Sequence, residues 1–164
     1  MTAGGSSIPE VRWLLSVLAA GKRCAEAGTA FGEGAAAIAE TAASLITVEL
    51  DPERAELARR RLERYRNVEL LVGDWRELLP RSAPFDLLFL DGGRWKQRPK
   101  EDGALAVSLL APGGLLVADD FTPDWPGPDP ARDFLLRNPE LVGAEILTTP
   151  STAAIVAARV GTAA

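Results

Sequence analysis

The sequence has no histidine, one cysteine, one methionine and one tyrosine among 164 residues. Without histidine there is no imidazole to take or give a proton near neutral pH. The single thiol, Cys24, leaves no disulfide to close within the chain, and the usual ligands of a structural zinc site are missing. Any metal would be a hard cation held by carboxylates. Positive charge is also in deficit: 18 Lys and Arg stand against 23 Asp and Glu, a net charge of −5. That weighs against a nucleic-acid partner, because phosphate binding calls for a basic face. No run reaches the roughly 18 apolar residues of a membrane span, and the opening MTAGGSSIPE carries no basic, apolar leader. These absences predict a cytoplasmic protein with neither a membrane nor a nucleic-acid partner.

What is present is an alternation. A chain of this length forms one domain, 1–164, and buries roughly 70% of its unfolded surface without staples. Pro9 and Glu10 start a helix that runs to Gly21. A strand over 22–28 and a small-residue helix over 32–43 follow, then the buried strand SLITVEL at 44–50. Asp51 caps the next helix with Pro52 at its first position. Arg59, Arg60 and Arg61 lie towards its end; with a Glu56–Arg60 pair they read as a solvated face rather than a nucleic-acid patch. Strands at 67–74 and 85–93 come next, separated by a short helix to Leu79. A helix over 101–110 ends before PGG at 112–114, which punctuates ahead of a fifth strand, LLVADDF. The proline-rich loop TPDWPGPDPARD, a helix near 130–137 and a closing hairpin complete the chain. The domain thus divides into an N-terminal helix (1–21), a binding core (22–120), an active-site loop (121–130) and a C-terminal helix and hairpin (131–164).

Continuous apolar strands alternating with helices mean an α/β, doubly wound, mostly parallel sheet with helices on both faces. Ligands bind such sheets at the C-terminal strand ends, at the switch point. The stretch CAEAGTAFGEGAAAIAE, residues 24–40, lies there. Small residues recur at Gly28, Ala30, Gly32 and Gly34, so something approaches the backbone closely. A dinucleotide frame starting at Gly28 puts Ala30 and Glu33 where glycines belong, and Glu33 would repel a pyrophosphate. A phosphate-binding Walker loop is excluded, since no G-K-[ST] exists. The frame acid-x-Gly-x-small-x-Gly fits instead, with Glu26, Gly28, Ala30 and Gly32.

That frame resembles motif I of the class I S-adenosylmethionine-dependent methyltransferases, with Ala30 where the family has glycine. The donor carries a sulfonium and an ammonium and no phosphate, so acidic residues around the turn suit it. The resemblance implies a seven-stranded Rossmann-like sheet of order 3-2-1-4-5-7-6 with the last strand antiparallel. It implies a donor site built from Glu26, Gly28, Thr29, Ala30, Gly32, Glu49, Leu50, Gly73, Asp74, Trp75 and Asp91. Glu49 stands 21 residues beyond Gly28, where a carboxylate accepts from ribose hydroxyls. Asp74 would accept from the adenine amine and Trp75 pack on its ring.

Strand 4 ends FLDGG and strand 5 ends VADDF. In the implied order these ends are neighbours, so Asp91, Asp119 and Asp120 converge, and like charges that close need a cation or raised pKa values. The arrangement resembles the catechol and caffeoyl-CoA group of metal-dependent O-methyltransferases, with Asp120 where asparagine is usual. It implies a divalent metal (magnesium, manganese or calcium) on Asp91, Asp119 and Asp120, with a small, aromatic acceptor whose hydroxyl is methylated. That group carries a lysine three residues after the first aspartate; here it is Arg94, which stays protonated, so beside Asp91 either Lys96 or the metal-bound, hydroxide-like substrate itself would handle the proton. Trp95 and Trp125 would either wall the acceptor or pack. Residues 1–21 supply one helix where that group has a longer extension over its substrate site, which leaves room for a wall borrowed from a second subunit in a homodimer. Two alternatives stay open: metal-independent transfer to another small nucleophile, and a non-catalytic S-adenosylmethionine-binding domain. A nicotinamide enzyme is a more distant reading.

Overall fold

A computed structural model of the chain describes residues 7–92 and 94–161. The leader reading of residues 1–6, the far end of the fourth predicted strand at Gly93, and residues 162–164 lie outside that range. Helix α1 (Pro9–Ala19) leads into β1 (Arg23–Ala27), α2 (Glu33–Ala39), β2 (Ser44–Glu49), α3 (Pro52–Leu62) and β3 (Val68–Val72). After the short α4 (Trp75–Leu78) come β4 (Phe85–Leu90), α5 (Pro99–Ser108), β5 (Leu110–Phe121), α6 (Pro130–Arg137), β6 (Leu141–Thr149) and β7 (Thr152–Arg159). The strands form one sheet of order β3-β2-β1-β4-β5-β7-β6. The pairings of β1 with β2 and β4, of β2 with β3 and of β4 with β5 are parallel; β7 is antiparallel to both β5 and β6. This is the predicted doubly wound sheet.

Helices cover both faces, and β4 shows how the sequence demands it. Leu87 and Phe89 enter the core beneath α1, α2 and α3, with Val11, Leu15, Ile38 and Leu45. Leu88 and Leu90 enter the opposite core, with Leu79, Trp95, Val107 and Leu135. The run Leu87–Leu90, apolar at every position, is thereby buried on both sides, while Asp86 near the start of the strand stays exposed. Helix starts follow local chemistry. Asp51 accepts from the backbone of Glu53 at 2.8 Å, Asp74 from Arg76 at 2.9 Å and Asp129 from Arg132 at 3.0 Å, with proline at the first turn of α3 and α6. Among the described residues no helix is long and apolar enough to cross a membrane.

Several boundaries differ from expectation, among them the ends of β3 at Val72 rather than 74 and of β4 at Leu90 rather than 93, and three shifts have a visible cause. Helix α2 ends at Ala39 rather than 43, because Thr41 and Ala43 are already tied to the start of β1: Gly21 donates to Thr41 and Ala43 to Lys22. Strand β5 begins at Leu110, before PGG; Gly113 takes φ 76°, which absorbs the irregularity and lets Leu110 pair with Phe85 ahead of the Leu115–Leu87 pair. Helix α5 starts at Pro99, whose fixed φ suits the first turn. Trp95 is a core residue, 2% exposed, so of its two predicted roles it takes packing; Trp125 is 53% exposed.

Candidate active site

A cavity of about 550 Å³ opens at the C-terminal ends of β1 to β4. Of the residues predicted to face a ligand, Gly28, Ala30, Glu49, Leu50, Gly73, Asp74, Trp75 and Asp91 line it, and so does Asp120. Glu26, Thr29 and Gly32 lie outside its lining. Glu26 and Thr29 are buried under the turn, and Gly32 starts α2 at φ 85° beside Ala58 of α3.

Glu49 organises the turn. One carboxylate oxygen accepts from the Ala30 N–H at 2.7 Å and the other from the Asp51 N–H at 3.0 Å. Each oxygen keeps a second lone pair, a match for two neighbouring hydroxyls. The bond to Ala30 holds a residue with a Cβ at φ 48°, in the left-handed region. The close approach posed by the glycine pattern is in part internal to the protein. A Cβ on Gly28 would sit 2.6 Å from the Gly92 α-carbon, and one on Gly34 would sit 2.5 Å from a Glu26 oxygen. The loops after β1 and β4 touch backbone to backbone.

Below the turn, Glu26 is 1% exposed and accepts from the Thr47 hydroxyl at 2.5 Å; Thr47 in turn meets the Thr29 hydroxyl at 2.5 Å. Burial pushes Glu26 up to about 8, and Glu49 and Asp119 add to the rise against the Thr47 bond. Asp74 keeps the cap of α4 and also accepts from the Arg76 guanidinium at 3.2 Å, so its oxygens are partly engaged. Trp75 lies under the cavity with its Nε1 buried and without an acceptor among the described residues.

Asp91, Asp119 and Asp120 converge at the rim, each offering an oxygen within 4.8 Å of the others. Burial, then the charge of Asp119, holds Asp91 well above the carboxylate range; burial, then Asp120, raises Asp119. Lys96 reaches the backbone carbonyls of Asp119 and Asp120, and its burial lowers its pKa against the pull of the neighbouring carboxylates. A second cavity of about 180 Å³, lined by Lys96, Asp120, Phe121, Thr122, Trp125 and Asp129, shares Asp120 with the first.

The sequence reading missed two cations on the larger cavity, Arg54 and Arg76, and named a third, Arg94, only as the residue standing where the family has lysine. Arg94 follows the Asp91 loop and takes φ 57°. Its signal was its place three residues after Asp91. Arg76 gave no comparable signal, because its main partner, Asp102, lies on α5.

The chemistry of the donor set fits S-adenosylmethionine. Glu49 suits a ribose diol, the rim carboxylates suit a cationic ligand, and Glu33 stands in the first turn of α2 where a pyrophosphate would lie. The three rim carboxylates are a hard-cation donor set.

Residues 25–121 match the model of a family described as Methyltransferase domain. Curated relatives include the protein-L-isoaspartate O-methyltransferase of Gloeobacter violaceus, 41% identical over 99 residues that make up 59% of this chain and 46% of that protein. The catechol O-methyltransferase of Niastella koreensis is 31% identical over 122 residues, 68% of this chain and 54% of that protein. The chain therefore spans about half the length of the curated relatives it matches. Among solved structures, the O-methyltransferase TomG from Streptomyces achromogenes, in complex with SAM, superimposes with a TM-score of 0.77 at 24% identity, covering 98% of this chain and 84% of that one. The O-methyltransferase from Bacillus cereus in complex with SAH gives 0.71 at 20% identity, covering 94% and 82%. At that identity the structures share the fold with this chain.

Proposed function

Since the chain belongs to the methyltransferase-domain family, we propose that it transfers the methyl group of S-adenosylmethionine to a hydroxyl of a small aromatic acceptor, with a divalent metal at the three rim aspartates. The observation that carries this reading is the junction of the two cavities at Asp120: the larger takes the donor and the smaller the acceptor. Bound S-adenosylmethionine supplies a methyl group on a sulfonium, open to in-line displacement. Glu49 holds the ribose side, with Gly28, Ala30 and Leu50 along the backbone and Gly73, Asp74 and Trp75 beneath the base. Asp91, Asp119 and Asp120 would hold a hard cation such as magnesium, which would supply Lewis acidity toward a hydroxyl oxygen, so that the acceptor loses its proton to solvent and reacts ionised. Trp125 and Phe121 flank the acceptor. Catalysis of this kind is mostly positioning and exclusion of water.

A second reading is metal-independent transfer to a carboxylate. The protein-L-isoaspartate O-methyltransferases among the relatives favour it, and a carboxylate, already ionised at neutral pH, needs no base. One experiment separates the two. The protein is titrated calorimetrically with S-adenosylmethionine, with magnesium and then with chelator, and labelled methyl transfer to a catechol and to an isoaspartyl peptide is followed. Donor binding with chelator-sensitive transfer to the catechol, giving an alkali-stable ether, supports the first reading. An alkali-labile ester formed in chelator supports the second. Donor binding without transfer to either identifies a binding domain, and no donor binding rejects the proposal outright.

A further inference from the structure

Two neighbouring aspartates should not face one site from a regular strand, because successive side chains point to opposite faces. Asp119 and Asp120 nonetheless both place an oxygen within 4.8 Å of Asp91. The end of β5 is bulged: its register against β7 shifts between Ala118 and Phe121, and Asp120 adopts φ 59°. A residue with a Cβ holds such a backbone only when its surroundings fix it. Two cations hold the backbone carbonyls there. Lys96 donates to the Asp119 carbonyl at 2.6 Å and to the Asp120 carbonyl at 2.8 Å, and its Nζ lies 4.1 Å from the centre of the Phe121 ring. Arg132 of α6 donates to the Thr122 carbonyl at 2.6 Å, with its guanidinium 5.6 Å from the same ring. Carbonyls of consecutive strand residues normally point to opposite edges; here both reach a single nitrogen. Lys96 belongs to a 3-10 turn, Trp95–Gln97, that follows the Asp91 loop and is anchored in the core by Trp95.

We propose that Lys96 is a positioning residue: by tying the loop after β4 to the bulged end of β5, its ammonium sets the spacing of Asp91, Asp119 and Asp120. The proposal rests on reading that cluster as the reaction site, and it replaces the proton-accepting role expected of Lys96. The two roles part at K96R, since arginine donates to two carbonyls but accepts no proton.

The test compares wild type, K96R and K96Q. Hydrogen exchange of backbone amides over 117–123 is measured without donor or metal, followed by manganese binding and labelled methyl transfer. K96Q should exchange at least about tenfold faster over that segment and lose roughly 10- to 100-fold in manganese affinity and transfer. K96R should recover all three to within about threefold, with an unchanged pH profile. Wild-type exchange in K96Q overturns the proposal, as does a K96R that exchanges like wild type but transfers no methyl. If K96Q does not fold, K96Q/D120G is compared with D120G, whose glycine accepts the left-handed backbone; equal exchange in those two also overturns it. A wild type that binds no manganese and transfers no methyl counts against the proposed function, and the exchange comparison still decides the role of Lys96.

Discussion

Glu26 keeps its proton at a pH where a surface glutamate has lost it. Burial is the main cause, and the folded value of about 8 compares with an ordinary value near 4.5. Between those two pH values the unfolded chain has released this proton while the folded chain retains it. Folding takes up a proton across that window, so stability falls as pH rises from about 4.5 to 8, and the fall ends once both states are ionised. Glu26→Gln keeps an acceptor for Thr47 without the titration. Its unfolding free energy in urea should therefore fall less across that window, by an amount on the order of a few kcal/mol. Equal slopes in the two proteins would refute this account of Glu26. The identity of Glu26 as the acid of the turn was legible in the sequence from its spacing to Gly28; its Thr47 partner was not, because that bond joins adjacent strands across the sheet.

The elements were legible where their signals are local. Asp51-Pro52 marks a helix start in the sequence, and the structure shows that cap and a second of the same kind at Asp129-Pro130. The start of β5 was hidden, because Pro112-Gly113-Gly114 reads as a break while the sheet tolerates it as an irregularity. The link between α4 and α5 was hidden too. Arg76 makes a bidentate contact to Asp102, Nε to Oδ1 at 2.9 Å and Nη2 to Oδ2 at 2.6 Å, and Asp102 is 2% exposed. Removing the guanidinium would leave a buried carboxylate without its charge partner. Arg76→Ala should cost about 3–5 kcal/mol in chemical denaturation, and Arg76→Met with Asp102→Leu should recover most of it. A cost below about 1 kcal/mol for the single change would show that water or another group replaces the guanidinium.

At the scale of the whole molecule, strand–helix alternation made the parallel sheet readable, and the resemblance supplied its order. The larger cavity, the proposed donor site, draws on β1, β2, β3 and β4 together, so a ligand held there stabilises a large part of the sheet. S-adenosylmethionine at a hundred times its dissociation constant should add about 2.7 kcal/mol, which for a domain of this size raises Tm by roughly 5–10 °C. Glu49→Ala should abolish that rise in a thermal melt, because it removes the acceptors proposed to face the ribose and frees the Ala30 N–H. A rise of the same size in Glu49→Ala would place the donor elsewhere.

Gly28 and Gly92 meet with no space for a Cβ on either. Neither position can accept a larger residue while the opposite backbone stays where it is. In a mutational scan both would score as intolerant, and the intolerance would look like ligand contact although it comes from one loop pressing on another. Single-step drift at either glycine is blocked, and accepted change there would require displacement of both loops at once.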